Sequence, residues 1–159
     1  MIVVKIDAGR STAVLQQIMD RVADPTELMS GVGMLLESSA QQAFQDQGPG
    51  WADLAESTKA QRTKDGTWPG QKLVRKGGDN GLLGSLFSDS GSDWANVGAG
   101  SGPSAAYAAI HQFGGKAGRG KKTTIPARPY MPITPDGKDL TEAASESVLA
   151  LTMTFLGLD

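Results

Sequence analysis

Histidine and cysteine, two residue types that often bind metals or act in catalysis, are almost absent from this 159-residue chain. His111 is the only histidine, and the absence of cysteine excludes disulfide bonds, thiol catalysis and cysteine-ligated metal. A metal at His111 would need carboxylates as its other ligands, and none lies near it in the sequence. We therefore predict no metal site and no cofactor site. We expect the His111 imidazole to hydrogen-bond the backbone at the end of a short helix.

Carboxylates are the remaining candidates for catalysis, because two of them flanking a glycosidic bond can hydrolyse it. Four acidic residues lie within twenty positions of one another, at residues 37–56. Each occupies a position where the polar face or the cap of a helix is expected, so solvation accounts for them. They are Glu37, Asp46, Asp53 and Glu56. We predict no catalytic residues and no enzymatic activity, since no recognisable constellation of reactive groups is present.

A glycine-rich stretch at residues 98–102 lies between a predicted strand and a predicted helix, where a phosphate-binding loop would be. It lacks the third glycine of the dinucleotide-binding motif. It also lacks the Gly-Lys-Ser/Thr that completes a P-loop. We interpret it as a flexible linker.

Positive charge is concentrated in the middle of the chain. The net charge is −2, but residues 59–128 hold eleven Lys/Arg and four Asp/Glu, a net of +7, which leaves −9 for the rest. Such segregation can steer association between oppositely charged faces, or direct a basic face towards nucleic acid. Alternatively, folding interleaves the charges and leaves no large field. Both interpretations stay open at the level of sequence.

The basic residues form two clusters. Solvation is the common explanation for the first, since aromatic residues that could stack on single-stranded bases are sparse around it. The second lies on a glycine-rich loop and ends at an arginine between two prolines, whose stiffness fixes a guanidinium that suits carboxylates or phosphates of a partner. The first cluster comprises Lys59, Arg62, Lys64, Lys72, Arg75 and Lys76. The second, which we hypothesise to contact another subunit or DNA, comprises Lys116, Arg119, Lys121, Lys122 and Arg128.

Hydrophobic periodicity predicts three long helices, at residues 11–23, 26–47 and 139–156. Ser11 or Thr12 is expected to cap the first, and Asp24 followed by Pro25 at the first helical position to begin the second. The shorter predicted elements are a strand at 2–6, helical anchors at Trp51 and Leu54, a polar helix at 58–64, a hairpin of 82–88 with 93–99, a helix at 105–113 and an extended stretch at 125–133.

These elements predict an α+β fold, in which a small, mostly antiparallel sheet packs against two N-terminal helices and one C-terminal helix, with long glycine-rich loops. We expect a single domain over residues 1–159. Its parts are an N-terminal strand and helices to residue 48, a loop-rich β region over 49–137 and a C-terminal helix from 138. Residues 1–20 contain charges and no long apolar run, which predicts neither a signal peptide nor a membrane span.

Four short motifs follow one another along residues 26–156. They are Trp51-x-x-Leu54, Leu82-x-x-Ser85-Leu86 after Gly81, Tyr107-Ala108-x-x-His111-Gln112-x-Gly114, and Ile125-Pro126-Ala127-Arg128-Pro129-Tyr130. In their order and spacing the chain resembles the phage virion morphogenesis family, the tail completion proteins of Mu-like phages. The resemblance implies structural roles for Trp51, Leu54, Tyr107, His111, Gln112, Gly114, Pro126 and Pro129.

The resemblance also implies a function, which is that of a structural component of the virion neck, without catalysis, assembled in the host cytoplasm. Such a component would form a ring, expected to be sixfold, that contacts the tail tube and the head–tail connector proteins, with genomic DNA in its lumen. The alternatives are a tail terminator that stops growth of the tail tube and, from another class, a DNA-binding protein. Whether the N-terminal helices pack on their own domain or swap onto a neighbour stays open.

Overall fold

The computed structural model describes residues 9–48, 50–74, 81–100 and 104–158 and confirms the α+β fold. Periodic apolar positions become helices, and short segments between glycine-rich turns become strands. The helices are α1 (Gly9–Ala23), α2 (Thr26–Gln45), α3 (Glu56–Lys64), α4 (Ala105–Phe113) and α5 (Glu142–Leu156). The strands are β1 (Phe87–Ser90), β2 (Ala95–Gly98), β3 (Gly115–Ala117) and β4 (Thr123–Ile125).

Helix α2 is the middle layer of the molecule. At Gly31 an added Cβ would lie 3.2 Å from Leu151 of α5, and at Gly33 it would lie 3.4 Å from Ser88 of β1. These two glycines are two residues apart, so they point to nearly opposite sides of the helix. The β1–β2 hairpin and α5 therefore pack on opposite sides of α2, and α1 contacts α5.

The strands form two separate antiparallel pairs, β1 with β2 and β3 with β4, where the sequence predicted one small sheet. Phe87 pairs with Gly98 at the base of the first hairpin, and Ser90 pairs with Ala95 at its tip. The predicted strand at 82–88 begins later than expected, because residues 83–85 form a turn of 3₁₀-helix. The helices consequently do not line one face of a common sheet.

Two of the three long helices begin at residues other than those predicted. Helix α1 begins at Gly9, so Ser11 and Thr12 lie inside it. Helix α2 begins at Thr26, the first residue of its predicted range, although Pro25 precedes the helix and is not its first residue. The Asp24 carboxylate accepts hydrogen bonds from the Thr26 amide and hydroxyl. Helix α5 begins at Glu142, because the Thr141 hydroxyl accepts a hydrogen bond from the Ala144 amide and caps it there.

The core lies at the C-terminal end of α2 and consists of Phe44, Trp51, Leu82, Ala108 and Tyr130. The Phe44 ring meets Trp51 edge-on at 5.7 Å and Tyr130 at 5.3 Å between centroids. Trp51 and Leu54 are buried as predicted, but their segment is irregular and not helical. A helix is not required there, because the Trp51 indole is fixed by a hydrogen bond to the Pro129 carbonyl at 2.8 Å.

The remaining short elements follow the predictions in part. The polar helix predicted at 58–64 starts two residues earlier, and α4 has the predicted bounds. Of the stretch predicted to be extended at 125–133, Ile125 belongs to β4 and Ile133 forms an isolated antiparallel bridge with Leu140. The predicted strand at 2–6, part of the glycine-rich linker at 101–103, and the cations at 75 and 76 lie outside the described residues.

Candidate functional site

Helix α4 and the segment that follows β4 are joined by buried hydrogen bonds from one amide side chain. The Gln112 Oε1 atom accepts from the backbone amides of Tyr130 and Met131, each at 2.9 Å. The Tyr130 hydroxyl in turn donates to the Ala108 carbonyl at 3.1 Å, and burial raises the pKa of this phenol to about 12. Because both ends of the β3–β4 hairpin lead into these contacts, the hairpin stands on a rigid base.

Arg128 belongs to the same base and is only 5% exposed. Its guanidinium donates to the carbonyls of Ala52 and Asp53 at 3.0 and 2.9 Å, and its backbone amide donates to the His111 carbonyl at 2.7 Å. The sequence predicts that the stiffness of Pro126 and Pro129 directs this guanidinium towards a partner. The structure corrects that expectation, because Arg128 is itself buried and its guanidinium donates to the carbonyls of the 52–53 loop.

The residues to which the family resemblance assigned structural roles converge on this base. Trp51 and Leu54 are buried beside the Arg128 contact, and Gln112 holds the strand-like segment after β4. Pro126 and Pro129 are exposed on either side of Arg128. The sequence did not predict that the Gln112 side chain joins α4 to the segment after β4 through hydrogen bonds to two backbone amides. The signal was present, however, because a glutamine inside an otherwise apolar short helix must find buried hydrogen-bond partners.

The first basic cluster is largely internal. Arg62 is buried and donates to the carbonyls of Gln71 and Lys72 at 2.7 and 2.8 Å. The Lys72 ammonium donates to the Trp51 carbonyl at 2.6 Å. Lys59 pairs with Asp53 and Glu56, and its hydrogen bond lowers the pKa of Asp53. These three cations hold loops in place, which leaves Lys64 as the exposed member in the described part of the chain.

The β3–β4 hairpin carries the other four cations of the second cluster, and all four are exposed. They are Lys116, Arg119, Lys121 and Lys122. Lys116 pairs with Thr124 across the strands, and the turn between them has positive φ at Gly118, Gly120 and Lys121. Within the described ranges none of the four forms a salt bridge; the ion pairs there involve Lys59 and Lys138. The hairpin therefore presents concentrated positive charge to solvent.

His111 lies between the hairpin base and Tyr107, whose ring meets the imidazole edge-on at 5.8 Å. The imidazole Nδ1 is buried and has no hydrogen-bond partner among the residues the structure describes, so the backbone hydrogen bond expected of this side chain is not made from that nitrogen. Burial, with a smaller contribution from the charge of Arg128, lowers the pKa of His111 below its ordinary value of 6.5. This histidine is therefore neutral in the folded protein near neutral pH.

We expect this lowered pKa to make stability depend on pH below about 6.5, the ordinary value for histidine. The unfolded chain then binds a proton at His111 that the folded chain resists, so the free energy of unfolding falls as the pH is lowered through this window. Above it the effect vanishes. Urea unfolding at pH 7.5 and 5.5 measures this loss, with His111→Gln as the control that removes the histidine. A loss equal in wild type and variant would contradict the assignment.

Two of the carboxylates considered for catalysis, Glu37 and Asp46, accept hydrogen bonds from neighbouring side chains. Glu37 accepts from the Ser88 hydroxyl at 2.6 Å, and Asp46 accepts from Gln42 at 2.8 Å. An open groove beside α2 is lined by Ser38, Ser39, Gln42, Ala43, Asp46 and Gly48.

In the described part of the chain, no group of three or more His, Asp or Glu side chains is placed to hold a metal ion. None of the helices described there is long and apolar enough to cross a membrane.

The chain is similar to G proteins of phage Mu and of Mu-like prophages. The chain is 36% identical over 145 residues to the Mu-like prophage FluMu G protein 2 of Haemophilus influenzae, covering 89% of this chain and 92% of that protein. It is 37% identical over 109 residues to the putative capsid assembly protein G of Escherichia phage Mu, covering 65% of each. FluMu G protein 1 of H. influenzae is 34% identical over 127 residues, covering 77% of this chain and 75% of that protein.

No solved structure matches the chain significantly. The model of one protein family matches residues 6–150, which include the base, the basic hairpin and all four sequence motifs. The expectation from the motifs is therefore confirmed at the level of the family. This chain belongs to the phage virion morphogenesis family.

Proposed function

We propose that this protein is a structural, non-catalytic component of the virion neck, which completes the tail and joins it to the head as a hexameric ring. The observation that carries the proposal is the exposed basic hairpin on its buried, hydrogen-bonded base, in a member of a virion morphogenesis family. The phage Mu relative is named as a putative capsid assembly protein, which supports a role in building the particle.

The geometry suits docking on other proteins. Gln112, Tyr130 and Arg128 fix the two ends of the hairpin, so its backbone loses little conformational freedom on binding. Residues outside 59–128 carry a net charge of −9, so a second copy or another virion protein of acidic character can attract the hairpin. A ring needs such unlike surfaces, because each copy uses one patch to bind a different patch on its neighbour.

Tail termination and DNA binding remain the alternatives. A terminator would use the same ring and hairpin, and the position of the protein in the particle separates the two roles. The four exposed cations could also contact phosphates of DNA in the lumen. Titration of purified protein with duplex DNA tests this, since phosphate contacts make the affinity fall steeply with salt. Binding by a monomer with that dependence would favour the DNA-binding role.

We expect reversal of charge on the hairpin to block particle assembly. In a phage carrying Lys116→Glu with Lys122→Glu, infectious titre should fall about 100-fold or more, because like charges in a complementary interface cost several kcal/mol. The matched control is Lys64→Glu with Lys138→Glu, which reverses two exposed cations outside the hairpin and should lower the titre little. Plaque titre and electron microscopy of the particles measure the effect.

The same particles test the neck assignment. An affinity-labelled chain should be found between head and tail, and the hairpin variant should leave heads and tails unjoined. Equal titres for the hairpin variant and its control would contradict the role of the hairpin. Finished particles that lack the protein, or carry it elsewhere, would contradict the neck role itself.

A further inference from the structure

The outer face of the β1–β2 hairpin combines aromatic rings with a carboxylate. Ser88 packs against α2, so the residues on either side of it, Phe87 and Asp89, point away from the body. On this outer face Asp89 is exposed and lies directly across from Asn96. Trp94 precedes Asn96 by two residues, and the Phe87 and Trp94 rings at the two ends of the face are 48% and 42% exposed.

These groups suit a positively charged partner. A carboxylate attracts Lys or Arg, and an aromatic ring within about 6 Å attracts the same charge through the face of the ring. Residues 81–100 contain two aspartates and no lysine or arginine, so no cation of this segment neutralises them. One oxygen of Asp89 accepts from the Ser90 amide at 2.9 Å, and within the described ranges neither Asp89 nor Asp93 forms a salt bridge.

The β3–β4 hairpin carries the opposite charge. Residues 115–125 contain four cations and no carboxylate. Lys116 lies directly across from Thr124, and both are exposed. The same chain therefore presents two exposed hairpins, one acidic and aromatic and the other basic.

Both hairpins are held in place by their own chain before any contact forms. The Ser88 hydroxyl donates to the Glu37 carboxylate on α2 at 2.6 Å, which fixes β1 on the helix. On the outer side the Phe87 ring lies against Gly98 of the opposite strand. The β3–β4 hairpin stands on the base formed by Gln112 and the segment after β4. Surfaces that are already ordered lose little conformational freedom on binding.

We propose that the basic β3–β4 hairpin of one copy binds the outer face of the β1–β2 hairpin of the next copy. The occupant is a second copy, because the charges of the two hairpins are complementary and, in the described part of the chain, no salt bridge joins them. Unlike surfaces allow the same contact to repeat around a ring. The inference rests on the proposed function and names the partner of the basic hairpin.

The contact is one part of the ring interface. The outer face is about 13 Å long, since it extends over four residues, and it is two strands wide. That area is far less than the roughly 800 Å² that each partner buries in a standard interface. Other surfaces of the two copies must therefore meet as well, and the charges supply direction and register.

Cross-linking tests this contact, because the chain has no cysteine of its own. Thr124→Cys and Asn96→Cys leave every charge in place. The two variants are mixed at high salt, which weakens contacts between exposed charges, dialysed to low salt and treated with a short bis-maleimide. We expect a two-chain product several-fold above that of either variant alone. Thr124→Cys mixed with Ser147→Cys is the control, since Ser147 is exposed on α5, across α2 from the β1–β2 hairpin.

Exchange of charges tests the same contact in the phage. Asp89→Lys with Asp93→Lys should lower the infectious titre about 100-fold or more, because like charges then meet in the interface. Addition of Lys116→Glu and Lys122→Glu to the same chain should recover about 10-fold or more of the lost titre, since both halves of the contact then have exchanged signs.

The control for charge exchange is Asp65→Lys with Glu146→Lys, which reverses two exposed carboxylates outside the face. Added to the Lys116→Glu, Lys122→Glu variant, it should leave the titre low. Equal recovery with this control would show an effect of net charge alone and overturn the proposal. An unchanged titre after reversal of the face, with cross-link yields no higher than the Ser147→Cys control, also overturns it. The basic hairpin would then bind another virion protein or DNA.

Failure of this contact and failure of the proposed function give different results. If particles carry the protein at the neck and depend on the basic hairpin while cross-linking and charge exchange both fail, only this contact is wrong. If the cross-links form but finished particles lack the protein, the proposed function is wrong and the contact stands.

Discussion

Replacement of Gln112 by methionine should lower the free energy of unfolding by about 2–5 kcal/mol, because each buried polar group left without its partner costs about 1–3 kcal/mol. The side chain keeps its approximate volume, so the packing of α4 changes little. What is lost is the oxygen that accepts from the amides of Tyr130 and Met131 at 2.9 Å. Both amides lie in the segment that fixes the far end of the basic hairpin.

Urea denaturation of the purified variants measures this loss. Gln41→Met is the matched control, because the Gln41 amide donates to Glu37 on the exposed face of α2. Its removal should change stability by no more than about 0.5 kcal/mol. Similar unfolding midpoints for the two variants would show that the hydrogen bonds accepted by Gln112 add nothing to the stability of the fold. In a phage, Gln112→Met should also reduce assembly, since the hairpin would lose its fixed direction.

Replacement of Gly114 by alanine should cost about 3 kcal/mol or more, which combines backbone strain with overpacking. Gly114 joins α4 to β3 with φ 72° and ψ 179°, a conformation that only glycine adopts readily. An alanine Cβ would lie 2.9 Å from the Ala127 backbone nitrogen and 3.1 Å from the Ile125 carbonyl oxygen. Both neighbours are backbone atoms, so neither can move aside without displacing the strand.

Gly66→Ala separates the two causes. Gly66 also has a positive φ, 67°, but an added Cβ there meets nothing within 4 Å. It should therefore show only the cost of an L-residue in a left-handed conformation, about 1–2 kcal/mol. If Gly114→Ala unfolds at the same urea concentration as Gly66→Ala, then the close contact between Gly114 and the backbone at residues 125–127 does not contribute to the free energy of unfolding. Circular dichroism at low temperature checks that both variants start from the same fold.

The long helices were predictable from sequence because their signal is local. Apolar residues every three or four positions place one stripe on α1, α2 and α5, and a stripe needs no knowledge of the partner. The residues at which these helices begin were harder to predict from sequence. Whether Thr141 or an earlier residue begins α5 depends on which hydroxyl reaches an unsatisfied amide, and that geometry involves the turn before it.

The fate of the cations could not be predicted from sequence. Lys59, Arg62, Lys72 and Arg128 are of the same types as Lys116 and Arg119, yet the first four hold loops and the last two face solvent. The difference lies in long-range contacts, such as the 75 residues between Arg128 and Asp53. A charge run shows how much charge is present, and the carbonyls that fold against it decide its direction.

Composition and short-range spacing by themselves determined the α+β class and the three amphipathic helices, and the order of the motifs indicated the family through its resemblance to known members. Those properties depend on periodicity and on motif order, both of which are carried by neighbouring residues. Only the tertiary structure decided which cations remain exposed on the β3–β4 hairpin, and that α2 lies between the β1–β2 hairpin and α5. These depend on contacts between residues distant in sequence, whose burial and hydrogen bonding are set when the layers pack together.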